Sequence, residues 1–452
     1  MKLDHESLIK YLWIFILIQP VIDLMTSLMV QFTDTVVTVG ALVRVLFVAL
    51  FFVVIVYISW TMPKHRKILY YVGALALVLI ASLVVTILFK DPYSLVAELQ
   101  FLFKIVYFNL ALIALYLMFK EIVTDKQQLL NIVFKAFFFV AVAVGASILI
   151  AVLTQTSLES YSHTKVGYKG WFFSGNEISA VLAITYPMAA YYIVSQPSGR
   201  AKGWMIVALT ISAIGFGLMG TKVALGGILL TTLTVGYHII VNRFGNGVKG
   251  WQKFNTTLFI ALIVVVTAHA SSSFLENIAN QIYQYENVVS QPTEEEQEQI
   301  DPDAYIKDNF HASSRFLNLI LSSRDIYVKI HHSYFVDAPV AQKLFGMGYA
   351  SNYSEDPKTV EIDAFDLFYS IGIIGFIVYV IPIVYMLYRI IRAFFDKGIK
   401  ATFKDSTSIF ILVSLAIACG ISTLAGHVIT APAVSIYLAL VMCLTLITLQ
   451  RQ

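Results

Sequence analysis

Charge is what this sequence has least of. Only 13% of its 452 residues are Asp, Glu, Lys or Arg, while 58% are hydrophobic; a soluble domain carries about a quarter charged. Cysteine is nearly missing. Cys419 and Cys443 both lie in apolar runs, which reads as packing rather than a disulfide or a metal pair. No Walker A lysine motif, dinucleotide fingerprint or metal-ligand spacing occurs. Any chemistry must therefore draw its energy from the substrate itself, without a cofactor or a metal. The net charge of +3 comes with no basic or RNA-reading motif, so nucleic acid is not an expected partner. Internal repeats are not visible, and the alternating pattern of an outer-membrane barrel is absent.

What the sequence does have is apolar length. Mean hydropathy is +0.77, and runs of about 20 apolar residues recur along nearly the whole chain. This predicts an all-α polytopic membrane protein with about twelve transmembrane helices. The expected spans are 11–30, 37–59, 68–89, 97–119, 131–153, 176–195, 203–219, 222–241, 256–274, 364–391, 407–426 and 431–449. Nine therefore fill residues 1–274 and three fill 364–452, with one large, partly helical loop at 275–363. Lys2 and Lys10 precede the first apolar run as in a signal sequence. That run is long and lacks a small-x-small cleavage site, so it is expected to be retained.

Basic residues give the orientation. Alternate connections and the two termini hold 19 of the 31 Lys and Arg residues but only 6 of the 28 acids. By the positive-inside rule both termini lie in the cytoplasm. The long loop and the connections at 154–175, Met219–Lys222 and His427 then share the outer face of the membrane.

The candidate residues concentrate on that face. Arg315 and Arg324 open the second part of the loop, and Glu361, Asp363 and Asp366 close it. Cations beside potential general bases, at a membrane surface, suit transfer of a group from a phosphate-activated lipid. The two arginines are nine residues apart, which is opposite faces of one straight helix. Either Ser322-Ser323 breaks that helix or only one arginine faces the pocket. A break would let Ser322 cap a new helix with Arg324 in its first turn, a good phosphate position; otherwise both arginines pair with nearby acids. Asp363 and Asp366 share a helix face and serve either as dipole complements or as a base. Lys222 starts a helix, against the dipole, which a bound anion would offset. Asn176 either caps the sixth span or contacts sugar, and Trp171 is a belt aromatic or a stacking platform. His427 fits an interfacial residue or a site member. Asp23 and Arg44, ionised types inside the first two spans, are expected to pair structurally or, for Arg44, to reach a lipid phosphate.

Four stretches in order resemble the O-antigen ligase and polymerase superfamily. They are Gly170-x-Phe172-x-x-x-Asn176, Gly220-Thr221-Lys222, Ser323-Arg324-Asp325 with Gly346-x-Gly348, and Glu361 through Gly372 and Gly375. Lys222 stands where the family usually has arginine, and Glu361 where it has histidine. Lysine keeps the charge but loses the bidentate fork. The resemblance implies a GT-C-like glycosyltransferase of the bacterial cytoplasmic membrane, with its site facing outside. Its implied substrates are an undecaprenyl-pyrophosphate-linked glycan and an acceptor glycan or a wall or lipid acceptor, with polymerase favoured over ligase. The implied mechanism is metal-independent and inverting: Arg324, Arg315 and Lys222 bind pyrophosphate, Glu361 or Asp363 acts as base, and Asn176, Trp171 and His427 place sugars. Partners would be membrane lipids and other envelope polysaccharide assembly proteins. The alternative reading is a lipid-linked oligosaccharide flippase or transporter.

Overall fold

The computed structural model describes residues 4–33, 38–91, 93–160, 166–242, 253–270, 275–280, 321–322, 324–352 and 358–450. Within these the chain is helical apart from one short antiparallel pair, Leu158–Glu159 with Tyr168–Gly170. The helices are α1 (His5–Phe32), α2 (Val39–Thr61), α3 (Arg66–Phe89), α4 (Leu95–Glu121), α5 (Lys126–Leu153), α6 (Gly175–Ser195), α7 (Arg200–Gly217), α8 (Lys222–Ile240) and α9 (Lys253–His269). The large loop contributes α10 (Arg324–Asp337) and α11 (Val340–Phe345). Last come α12 (Asp363–Lys397), α13 (Ile399–Lys404), α14 (Ser406–Leu424) and α15 (Pro432–Leu449). Arg315 and the acidic tip at 286–308 lie outside the described residues.

The protein is an all-α polytopic membrane protein. Among the described residues ten helices are long and apolar enough to cross a bilayer: α1–α6, α8, α12, α14 and α15. The other two expected spans are helical as well but fall outside those limits. α9 has 17 residues, and α7, which begins with Arg200 and Lys202, falls short in hydropathy over its 18. Both lie against neighbours, α7 on α5 and α9, and α9 on α8.

The bundle has a centre and a lipid-facing rim. In the most apolar window of α6 and of α15, 89% of residues are buried, against 17% in α2. Small residues allow the close approaches that membrane helices need. A Cβ on Gly215 of α7 would sit 1.9 Å from the Gly145 carbonyl oxygen of α5. One chain of polar groups crosses between helices: Tyr71 donates to Asn109 at 2.9 Å, and Asn109 donates to the Tyr379 carbonyl at 3.0 Å.

The break in α12 shapes the site. Gly372 has φ +68° and ψ −175°, so 363–371 is a separate helical piece. A break in a span frees carbonyls, and these must find donors. The Gly346-Met347-Gly348 turn supplies them: Met347 N–H donates to the Tyr369 carbonyl at 2.9 Å and Gly348 N–H to that of Ser370 at 3.1 Å. The approach leaves no room for side chains, since a Cβ on Gly346 would lie 2.1 Å from the Ser370 oxygen. The loop is tied down again at Tyr349. Its N–H donates to Glu98 at 2.8 Å, and its carbonyl accepts from Lys90, which is itself paired with Glu98.

Candidate functional site

The start of α12 sorts the three carboxylates. Asp363 is fully buried and accepts from Ser422 Oγ at 2.7 Å, Val428 N–H at 3.1 Å, Ile429 N–H at 2.9 Å and Thr430 Oγ1 at 2.8 Å. Its lone pairs are occupied in holding the turn between α14 and α15. Asp366 is also buried and accepts the Val360 N–H at 2.7 Å. Asp366 thus fixes the backbone just before Glu361, and Asp363 the turn that follows His427. Of the three, Glu361 is the one directed at the basic residues.

Glu361 meets Arg324 and His427. Arg324 Nη2 donates to Glu361 Oε2 at 2.9 Å, and His427 Nε2 lies 3.8 Å from the same oxygen. The Glu361 side chain keeps 28% of its exposure, so it stays reachable. Arg324 opens α10, with Leu321 helical and Ser322 in a turn at φ +54° just before it. The helical run is therefore interrupted at Ser322. Its Oγ accepts from Lys222 Nζ at 3.0 Å. Lys222, Ser322, Arg324, Glu361 and His427 form one continuous line.

Three non-glycine residues of that line, Ser322, Glu361 and His427, have left-handed backbone. Such conformations cost about 1–3 kcal/mol each and persist where surrounding contacts impose them. For Glu361 and His427 the Asp363 hydrogen bonds and the Gly426 contact do so. A Cβ on Gly426 would lie 2.3 Å from the Glu361 carbonyl oxygen.

The charges reinforce one another. Burial pushes the Glu361 carboxyl up, but the His427 imidazolium, Arg324 and Lys358 outweigh it and hold it at about 2. Burial pushes His427 down, and Glu361, Glu177 and Asp363 more than offset that, so its pKa rises. The cluster holds an ionised carboxylate against Arg324, with His427 biased toward its charged form. Arg324 also donates from Nη1 to the Leu321 carbonyl at 3.2 Å, while its Nε is buried with no partner. An unused guanidinium N–H can donate to a ligand oxygen.

Lys222 is positioned by the start of α8. Thr221 caps the helix by accepting the Ala224 N–H at 3.0 Å, and Gly220 turns at φ +67°. Asn277 donates to the Gly220 carbonyl at 3.0 Å and also bridges to Val166. The cap of α6 is Ser174, accepting from Glu177 N–H, and not Asn176, which is exposed in the first turn. Trp171 donates to Thr156 Oγ1 at 2.9 Å. Neither Asn176 nor Trp171 hydrogen-bonds to the line of five, although Glu177 beside Asn176 acts on His427. Asp23 and Arg44 pair between α1 and α2.

Sequence reasoning missed Lys358, Glu177, Asn277 and the Lys90–Glu98 pair. Lys358 lies over Tyr327, 4.3 Å from the ring centre, and donates to its hydroxyl at 3.0 Å. The Lys90–Glu98 pair left one signal in the sequence, two opposite charges eight residues apart at a span boundary. Among the described residues no three His, Cys, Asp or Glu side chains gather closely enough to hold a metal ion. The arrangement suits binding of a doubly charged phosphate group beside an ionised carboxylate.

The profile of one protein family, described as O-antigen ligase like membrane protein, matches residues 5–452. No curated protein matches the chain.

Proposed function

From the premise that this chain belongs to the O-antigen ligase like membrane protein family, we propose that it is a membrane glycosyltransferase of bacterial surface-polysaccharide assembly. It takes a glycan from an undecaprenyl-pyrophosphate carrier and transfers it to an acceptor hydroxyl outside the cytoplasm. The observation that carries this reading is the Arg324–Glu361–His427 cluster, joined to Lys222 through Ser322.

In the resting protein Glu361 is neutralised by Arg324 and is too acidic to be an effective base. A pyrophosphate would change this. It takes over Arg324, using the unused Nε, and draws on Lys222 and His427. Glu361 then loses a cationic partner and gains an anionic neighbour, so its basicity rises. The acceptor hydroxyl attacks the anomeric carbon from the face opposite the leaving group. The new carbon–oxygen bond forms as the bond to phosphate breaks, the hydroxyl proton passes to Glu361, and polyprenyl pyrophosphate departs. One displacement of this kind inverts the anomeric centre. Arg324, Lys222 and His427 stabilise the leaving charge in a site partly closed to water.

The test is incubation of the purified protein with a synthetic polyprenyl-pyrophosphate oligosaccharide. A ladder of products marks a polymerase, and a single addition to a distinct acceptor marks a ligase. Lipid moving across vesicles with no product formed would instead mark a flippase.

A further inference from the structure

The end of the bundle away from Glu361 has its own cavity. Asp363 and Arg389 are 26 residues apart on α12, up to about 39 Å at 1.5 Å per residue, so the two places are separate. The cavity has a volume of about 670 Å³ and lies between the last turns of α12, the start of α5 and the end of α15. Lys126, Arg389 and Arg392 line it together with Tyr385, Tyr388 and Asp396. A smaller cavity of about 60 Å³ adjoins it at Arg389 and Gln450, and is lined by Tyr116 and Lys120.

Basic residues at this end are ordinary determinants of topology, and many are simply solvated. Three features distinguish these. Arg389 is held in place: Nη1 donates to Tyr385 Oη at 2.8 Å and Tyr116 Oη at 3.3 Å, and the guanidinium lies 5.7 Å from the Tyr385 ring centre. Lys120 sits 5.6 Å from the ring centre of Tyr116. Among the described residues Lys120, Lys126 and Arg389 have no carboxylate at ion-pair distance, and Arg392 reaches Asp396 only in an exposed pair at 3.7 Å. Third, α12 carries an exposed apolar stripe toward the cavity: Ile377, Ile381, Val384, Tyr388, Ile391 and Phe395.

We propose that this cavity binds the phosphate of an acidic phospholipid. The headgroup sits on Arg389, Arg392 and Lys126, with the acyl chains along the α12 stripe. A planar guanidinium fixed by two phenols presents its remaining donors to a phosphate without further ordering. The positive charge of the cavity selects an anionic headgroup over a zwitterionic one.

The full-length protein reconstituted in nanodiscs of mixed phosphatidylglycerol and phosphatidylcholine tests this, with retained lipid counted by native mass spectrometry. Phosphatidylglycerol is expected to be retained preferentially, and less so as salt rises. The double variant Arg389→Gln/Arg392→Gln weakens the preference about tenfold, and Arg389→Lys/Arg392→Lys recovers part of it, which also shows that the site still folds. An unchanged preference in the glutamine variant overturns the proposal. So does an equal loss in Arg66→Gln/Lys67→Gln, exposed residues outside the cavity. In the soluble arm, stabilisation by millimolar inorganic phosphate with no lipid preference would assign the cavity to a free anion and overturn the lipid reading.

Discussion

Glu361 does its work through its neighbours. With the proposed base removed, Glu361→Gln is expected to lower turnover about 10²–10⁴-fold, measured as product formed per minute from a synthetic donor. The same cluster predicts a pH dependence of stability. The folded pKa of Glu361, about 2, is below its ordinary value of 4.5. Its contribution is therefore present above pH 4.5 and lost as pH falls toward 2. His427 is raised instead, so its contribution is full below its ordinary value near 6.5 and lost as pH rises through the higher folded pKa. The Tm difference between the wild type and Glu361→Gln should therefore be largest between about pH 4.5 and 6.5 and shrink on both sides. A difference that does not vary with pH would show that the ion pairs contribute nothing. Of the candidate residues, the sequence made the charges legible but not their division of labour. Asp363 looked as available as Glu361, because the groups that occupy it come 59 to 67 residues later, from α14 and the turn before α15.

At the scale of elements, two glycine contacts hold the site together. Gly346 packs on the break in α12, and Gly426 packs on the backbone of Glu361. Both have positive φ and both lack room for a Cβ. Gly426→Ala should lower stability by about 1–3 kcal/mol and reduce turnover by displacing Glu361 and His427 together; thermal unfolding and rate measurements check both. Asp363→Asn turns an amide toward backbone N–H groups, leaving buried donors unmatched at about 1–3 kcal/mol each. It should lower Tm more than Asp366→Asn, whose carboxylate accepts one of the described hydrogen bonds. The helical break before Arg324 was legible as one of two alternatives, from the spacing of two arginines around two serines. The break at Gly372 was not, because an isolated glycine in an apolar run reads as a tolerated helical residue.

Over the whole molecule, apolar run length made the fold legible almost throughout. The exceptions are α7, whose first turn carries Arg200 and Lys202 and lowers its hydropathy, and α9, described over 17 residues. The expected orientation rests on charge asymmetry alone and has a direct check. With Cys419 and Cys443 replaced, Ser157→Cys should react with a membrane-impermeant maleimide in intact cells, and Lys400→Cys only after the membrane is opened. The reverse pattern would put the site on the cytoplasmic side and remove the carrier-based reading. The Lys90–Glu98 pair joins the loop to α3 and α4 through Tyr349. Its residues are about 250 positions from their partner, too far for a sequence to suggest that they hold the roof of the site.

The central claim is that the lipid pyrophosphate takes Arg324 from Glu361. The measurement that reaches it most directly is the affinity of a short-chain polyprenyl-pyrophosphate sugar for the wild type, Arg324→Ala and Glu361→Gln. Loss of an arginine–phosphate contact is worth about 1.5–3 kcal/mol, at least tenfold in Kd. Arg324→Ala should weaken binding by that factor, while Glu361→Gln, with no internal competitor for the guanidinium, should bind as tightly as the wild type or more so. Unchanged affinity in Arg324→Ala, or weaker binding in Glu361→Gln in a folded protein, would contradict the exchange.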